Sequence, residues 1–152
     1  MGGLSAVGDK ASEWIEIEIT VDSGACETVM PMSSCHSISV LASKQYMEGV
    51  EYEVANGETI PNLGERRCIM MTVGSNTAKK ITFQVADVHK PLLSISRVAD
   101  LGFDCMLGKH GGMLVDTVTG ERIPLIRRDN LYVMKAWVRQ DLNDVKPFGG
   151  PA

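Results

Sequence analysis

The residues with the clearest chemical potential are Asp22, Ser23 and Gly24, which follow Ile19-Thr20-Val21 and precede Ala25. A lone carboxylate at neutral pH is a poor base and no acid. Two carboxylates held a few ångströms apart cannot both ionise, so they share a proton. One then activates water as a general base while the other protonates or hydrogen-bonds a carbonyl oxygen. That is the chemistry of amide hydrolysis with no covalent intermediate. Ser23 supplies a hydroxyl to fix the loop, and Gly24 lets the backbone pass close to its neighbour and to a bound chain. The sequence contains a single Asp-Ser/Thr-Gly triplet. The second carboxylate therefore has to come from a second copy, with a two-fold axis between the two Asp22 side chains.

Other reactive groups carry less. Cys26, Cys35 and His36 can be drawn as a thiol with a base, but no orienting partner is visible. The four cysteines, Cys26, Cys35, Cys68 and Cys105, include no CxxC pair, so neither a zinc site nor any other metal or cofactor is expected. Cys26 reads as a small buried residue, with the lining of a subsite as the other reading. His89 and His110 stand in loop-like contexts and read as exposed. The nine methionines read as core or strand residues, and Trp14 and Trp137 as covers over the ends of the core.

The elements that must position the triplet are strands. Ile15, Ile17, Ile19 and Val21 alternate with Glu16, Glu18, Thr20 and Asp22, the period of a half-buried strand that ends on Asp22. Val50, Tyr52 and Val54 alternate with Glu51 and Glu53 ahead of Asn56-Gly57, which predicts a hairpin with a type I′ turn and a return strand near Thr59 to Leu63. Ile69 to Val73 and Ile81 to Val88 flank Gly74-Ser75-Asn76-Thr77 as a second hairpin. Pro91-Leu92-Leu93 is a short apolar piece, followed by a helix with Ser94 as N-cap, Ile95, Val98 and Ala99 at helical spacing, and Gly102 to end it. Met113 to Val115, Arg122 to Ile126 and Leu131 to Val138 read as strands, with turns at Thr119-Gly120 and Asp129-Asn130. Val40 to Met47 carries a weaker helical pattern closed by Gly49. Many short strands with little helix predict an all-β barrel or sandwich.

Length and composition agree with one folded domain. The chain has 152 residues, 44% hydrophobic and 22% charged, far from the profile of disordered chains. Residues 13–140 read as the domain, with flexible segments at 1–12 and 141–152. A net charge of −4, with basic residues in pairs such as Arg66-Arg67 and Arg127-Arg128, argues against nucleic acid as a partner. No stretch approaches the ~18 apolar residues of a membrane span, and the start lacks a signal-peptide pattern. An intracellular, reducing setting with free thiols is the expectation.

Several motifs together resemble a known family. Val21-Asp22-Ser23-Gly24-Ala25, Val54-Ala55-Asn56-Gly57 with Ile60 and Leu63-Gly64, and Lys90-Pro91-Leu92-Leu93-Ser94-Ile95-Ser96 with Leu101-Gly102-Phe103 resemble the retropepsin-like proteases of copia-type retrotransposon polyproteins. Gly112-Met113-Leu114, Thr119-Gly120-Glu121 and Asn130-Leu131-Tyr132-Val133-Met134 continue the likeness over nearly the whole chain. The resemblance implies a closed β-barrel of the acid-protease type with one short helix, active as a homodimer. It implies that Asp22 is catalytic, that Ser23 hydrogen-bonds across the dimer and that Gly24 completes the motif. It also implies that Ala25 and the hairpin residues Val54, Ala55, Asn56 and Gly57 meet a polypeptide substrate. Leu92-Leu93 would thread behind the triplet loop. Such an enzyme would process its own polyprotein in the cytoplasm, within virus-like particles.

One departure stands out. In retroviral relatives the apolar piece ends in Gly and then Arg, whereas here it ends in Ser94-Ile95, which leaves the pocket floor and the usual Arg-to-acid pairing open. The alternative function is a retropepsin-fold module without activity that dimerises or binds peptides, and Ser94 is its best support. A β-barrel interaction domain with an accidental triplet is a third reading, which gives the Asn56-Gly57 hairpin no purpose.

Overall fold

The computed structural model describes residues 14–75 and 77–139, so the expected flexible segments 1–12 and 141–152 lie outside the described residues. The described chain is mostly strand: β1 (Trp14–Asp22), β2 (Val29–Met30), β3 (Glu51–Glu53), β4 (Thr59–Pro61), β5 (Gly64–Thr72), β6 (Lys79–Val85), β7 (Leu92–Ser94), β8 (Phe103–Gly108), β9 (Gly111–Asp116), β10 (Arg122–Arg128) and β11 (Leu131–Arg139). Two short helices accompany them, α1 (Lys44–Met47) and α2 (Ile95–Asp100). The all-β expectation holds.

Nine strands form one sheet in the order β1-β7-β2-β6-β5-β11-β10-β9-β8, and β1 also pairs with β11. The pairings from β1 through β7, β2, β6, β5 and β11 therefore return to β1. β3 and β4 form a separate two-stranded hairpin. The triplet sits where β1 is held on both sides: antiparallel to β11 from Trp14↔Arg139 to Thr20↔Val133, and parallel to β7 through Thr20↔Leu92, Val21↔Leu93 and Asp22↔Ser94. This double pairing explains why the alternation of β1 gives way to three consecutive buried residues, Ile19, Thr20 and Val21. Around them Met30, Phe83, Val85, Leu93, Met134, Ala136 and Val138 fill the core.

The structure differs from the sequence expectations at several points. The hairpin turn is not type I′: Gly57 has φ +85°, and Asn56 is not among the positive-φ residues. Gly57 N–H donates to Val54 O at 2.8 Å and Val54 N–H to Glu58 O at 2.8 Å, a three-residue loop over 55–57 that closes on one left-handed glycine. The primed-turn geometry appears instead at Asp129 (φ 53°) and Asn130 (φ 65°), between β10 and β11. β4 stops at Pro61, because Leu63 N–H turns away to Val85 O.

Both helical patterns form helices, where the family resemblance implied one, and the first is shorter than its Val40 to Met47 pattern. Its N-cap is Ser43, whose hydroxyl accepts from Tyr46 N–H. α2 follows the sequence closely, with Ser94 as N-cap and Gly102 at φ +93° just beyond it. β2 and β8 carried no sequence expectation. Trp14 and Trp137 are not in the core cluster; with Met71 and Val73 they line a groove, and Trp137 lies between buried Ala136 and Val138 on β11, so it faces away from the core.

Candidate active site

Asp22 ends β1 half-buried, and its Oδ1 accepts the Gly24 N–H at 2.7 Å. A methyl group at Gly24 would lie 3.3 Å from that same oxygen, so glycine suits this close return of the loop. From beneath, Ser94 holds the loop in place: fully buried, its hydroxyl donates to Ala25 O at 2.7 Å, and its N–H donates to Thr28 Oγ1 at 3.1 Å. The residue that departs from the retroviral pattern is thus the support of the triplet loop.

Opposite the loop stands the β3–β4 hairpin. Between them opens a cleft of about 620 Å³ lined by Asp22, Gly24, Ala25, Cys26, Glu27 and Val29 from one side, by Tyr52 to Ala55, Gly57 and Ile60 from the other, and by Val88 and Leu92. A mostly apolar cleft with a few converging polar groups is the usual form of a binding site. Of the residues expected at the site, Asp22, Gly24, Ala25, Val54, Ala55 and Gly57 line this one cleft. Ser23 and Asn56 do not. Ser23 is exposed and has no hydrogen-bond partner among the described residues. Asn56 accepts Glu58 N–H through Oδ1 at 2.9 Å and faces a second cavity behind the hairpin.

Cys26 is exposed in the cleft rather than buried, because the chain leaves Ala25 along the surface before Glu27 turns inward. Cys35 is buried and burial pushes its thiol pKa up, while His36 is exposed, an arrangement unsuited to a thiolate nucleophile. His89 and His110 are exposed, as the sequence suggested. Among the described residues, no group of three or more His, Cys, Asp or Glu is placed to hold a metal ion.

The sequence reading missed Glu27, Arg97, Tyr52 and Asn62. Arg97 Nη2 meets Glu27 Oε1 at 3.1 Å, and Arg97 Nε donates to Cys26 O at 3.2 Å, so an arginine-to-acid pair does brace the triplet loop. It comes from the first turn of α2. A single acid ahead of the apolar pair Val29-Met30 was the available signal for Glu27. Arg97 gave none, since an arginine on a short helix ordinarily faces water.

Comparison of the chain with protein-family models, with curated proteins and with solved structures finds no match.

Proposed function

We propose that this chain is half of an aspartic endopeptidase, of the retropepsin-like kind found in copia-type retrotransposon polyproteins, which cuts extended peptides as a homodimer with one Asp22 from each copy. The observation that carries the reading is the cleft itself, which Asp22 lines together with a hairpin that turns on Gly57. The return of the strand pairings to β1 supports a closed acid-protease barrel. Ser94, the best sequence support for an inactive module, braces the triplet loop, which favours the active reading.

In the proposed reaction an ionised Asp22 removes a proton from water while its protonated counterpart hydrogen-bonds the scissile carbonyl oxygen. The hydroxyl oxygen bonds to the carbonyl carbon, giving a tetrahedral intermediate. It collapses as the C–N bond breaks and the amine nitrogen takes a proton from the dyad. The hairpin acts as a flap whose backbone holds the substrate as an added strand. Processing of its own polyprotein, within particles in the cytoplasm, belongs to this same reading.

The test is Asp22→Asn, assayed on unfolded casein alongside circular dichroism. Hydrolysis should vanish while the spectrum is kept, and the wild-type rate should follow a bell-shaped pH profile with its optimum below neutral. Residual activity within a few-fold of wild type, or a rate still rising through pH 8, would rule out the aspartate mechanism.

A further inference from the structure

The stem of the hairpin is joined to the triplet loop by side chains for which the hydrolysis has no use. Tyr52, in β3, donates its hydroxyl proton to Glu27 Oε2 and accepts from Asn62 Nδ2 at 2.9 Å. Asn62 is buried and its amide is saturated: Oδ1 accepts Ser43 Oγ at 2.9 Å and Gly64 N–H at 2.8 Å, and Nδ2 also donates to Gln84 Oε1 at 2.8 Å. Glu27 Oε1 accepts from Gln45 Nε2 at 2.9 Å and from Arg97. The stem is thus bonded to the triplet loop and to α1, with β6 and α2 bonded through the same two side chains. Burial first, and then the bond to Glu27, push the Tyr52 phenol pKa well above its ordinary value, so it remains a donor at any pH the fold meets.

Beyond Glu53 the pattern changes. The hydrogen bonds of the tip run within it: Val54 N–H to Glu58 O, Gly57 N–H to Val54 O, and Glu58 N–H to Asn56 Oδ1. A satisfied polar network anchored on the buried Asn62 and Glu27 resists opening, whereas a segment bonded to itself opens at little cost.

We infer that Tyr52 is a positioning residue that pins the hairpin stem to the loop carrying Asp22, so that the cleft opens by bending of residues 54–58 over a fixed stem. This deepens the peptidase reading and rests on it for its effect on turnover. A pinned stem returns the tip to one height above Asp22 after each opening. Without the pin, the backbone groups that receive the peptide are scattered, and binding suffers before chemistry does.

Amide hydrogen exchange on the full 152-residue chain, for wild type, Tyr52→Phe, Glu27→Gln and the double variant, tests the pin directly. In wild type, residues 55–58 should exchange faster than 51–53 and 59–60. Tyr52→Phe should raise exchange in the stem about ten-fold and leave β5 and β6 unchanged, and adding Glu27→Gln should add little, since the two act as one link. An unmoved stem, an equal rise in β5 and β6, or full additivity would overturn the proposal. On unfolded casein, Tyr52→Phe should raise KM several-fold with kcat nearly kept; a loss in kcat alone would contradict the positioning role. If the wild type cleaves nothing while the stem responds as described, the peptidase reading fails and the pin stands. If the wild type cleaves casein while the stem is unresponsive, the pin fails and the peptidase reading stands.

Discussion

At the scale of single residues, Arg66 shows how a buried charge can be held by backbone carbonyl oxygens. Only 2% exposed on β5, it donates to Ser34 O at 2.6 Å, Met32 O at 2.8 Å, Ile38 O at 2.9 Å and Pro31 O at 3.3 Å. The segment 31–38, which follows the triplet loop and β2, is folded around this guanidinium. Arg66→Met should therefore cost about 3–5 kcal/mol, because it strands several carbonyls at once. Arg66→Lys should recover only a small part, since an ammonium lacks the planar fork. Chemical denaturation of the two variants gives both numbers, and a loss under about 1 kcal/mol for Arg66→Met would contradict this role. Neither Arg66 nor Glu27 was legible in the sequence as a structural hub. Asp22 was, since its meaning lies in adjacent residues, whereas the partners of Arg66 and Glu27 come from distant segments. Cys26 was misread for a related reason: the direction of a side chain after a turn depends on where the loop leaves the strand.

At the scale of elements, two glycines that look alike in sequence differ in what surrounds them. Gly57, at φ +85°, has no atom of a described residue within 4 Å of a would-be Cβ apart from its own chain neighbours. Gly57→Val should cost only about 1–2 kcal/mol through backbone strain, while peptide turnover falls strongly if the hairpin is the flap. Gly64, at φ +127°, would put a Cβ 2.6 Å from Leu41 O and 2.7 Å from Val40 Cγ1. Gly64→Ala should lose about 3 kcal/mol or more. Melting temperature and turnover measured on both variants separate a functional turn from a packing contact, and equal losses of stability would contradict the distinction. The left-handed pair Asp129 and Asn130 predicts a gain: Asn130→Gly should stabilise by about 0.5–1 kcal/mol. Asn-Gly at 56–57 is a strong hairpin signal, and the hairpin is there. Its turn type was not legible, because an added loop residue changes which positions need positive φ without changing the dipeptide. The six-residue strand β8 is not legible in the sequence, because Phe103 to Gly108 mixes Asp104 and Cys105 into a short run that shows no clear period.

At the scale of the whole molecule, the strand content and the delivery of Asp22 at a strand end were legible from alternation, while the order of strands was not, since pairings such as β1 with β11 join opposite ends of the chain. Surface charge sets the pH response. Glu18, hydrogen-bonded to Arg128, Asp116, which accepts the N–H groups of Thr119 and Val118, and Glu121, bonded to Lys79, all have pKa values lowered in the fold. A carboxylate whose folded pKa lies below its unfolded one contributes stability that is complete above the unfolded value and is lost as pH falls through the folded one. For these groups the loss begins near the ordinary value of 4.5 for glutamate and continues below it. Melting temperature should stay level from about pH 7 to 5 and fall below about pH 4, so the fold survives the mildly acidic conditions the proposed dyad prefers. A melting temperature that rises on acidification below that point would contradict the assignment. The central claim, that catalysis needs one Asp22 from each of two copies, is met most directly by mixing. Wild-type protein is combined with increasing Asp22→Asn protein at constant total concentration, above that needed for association, and casein hydrolysis is measured per wild-type chain. With random pairing, that activity should fall in proportion to the wild-type fraction, because each mixed pair holds one competent aspartate. Activity per wild-type chain that is untouched by the mutant would contradict the shared dyad.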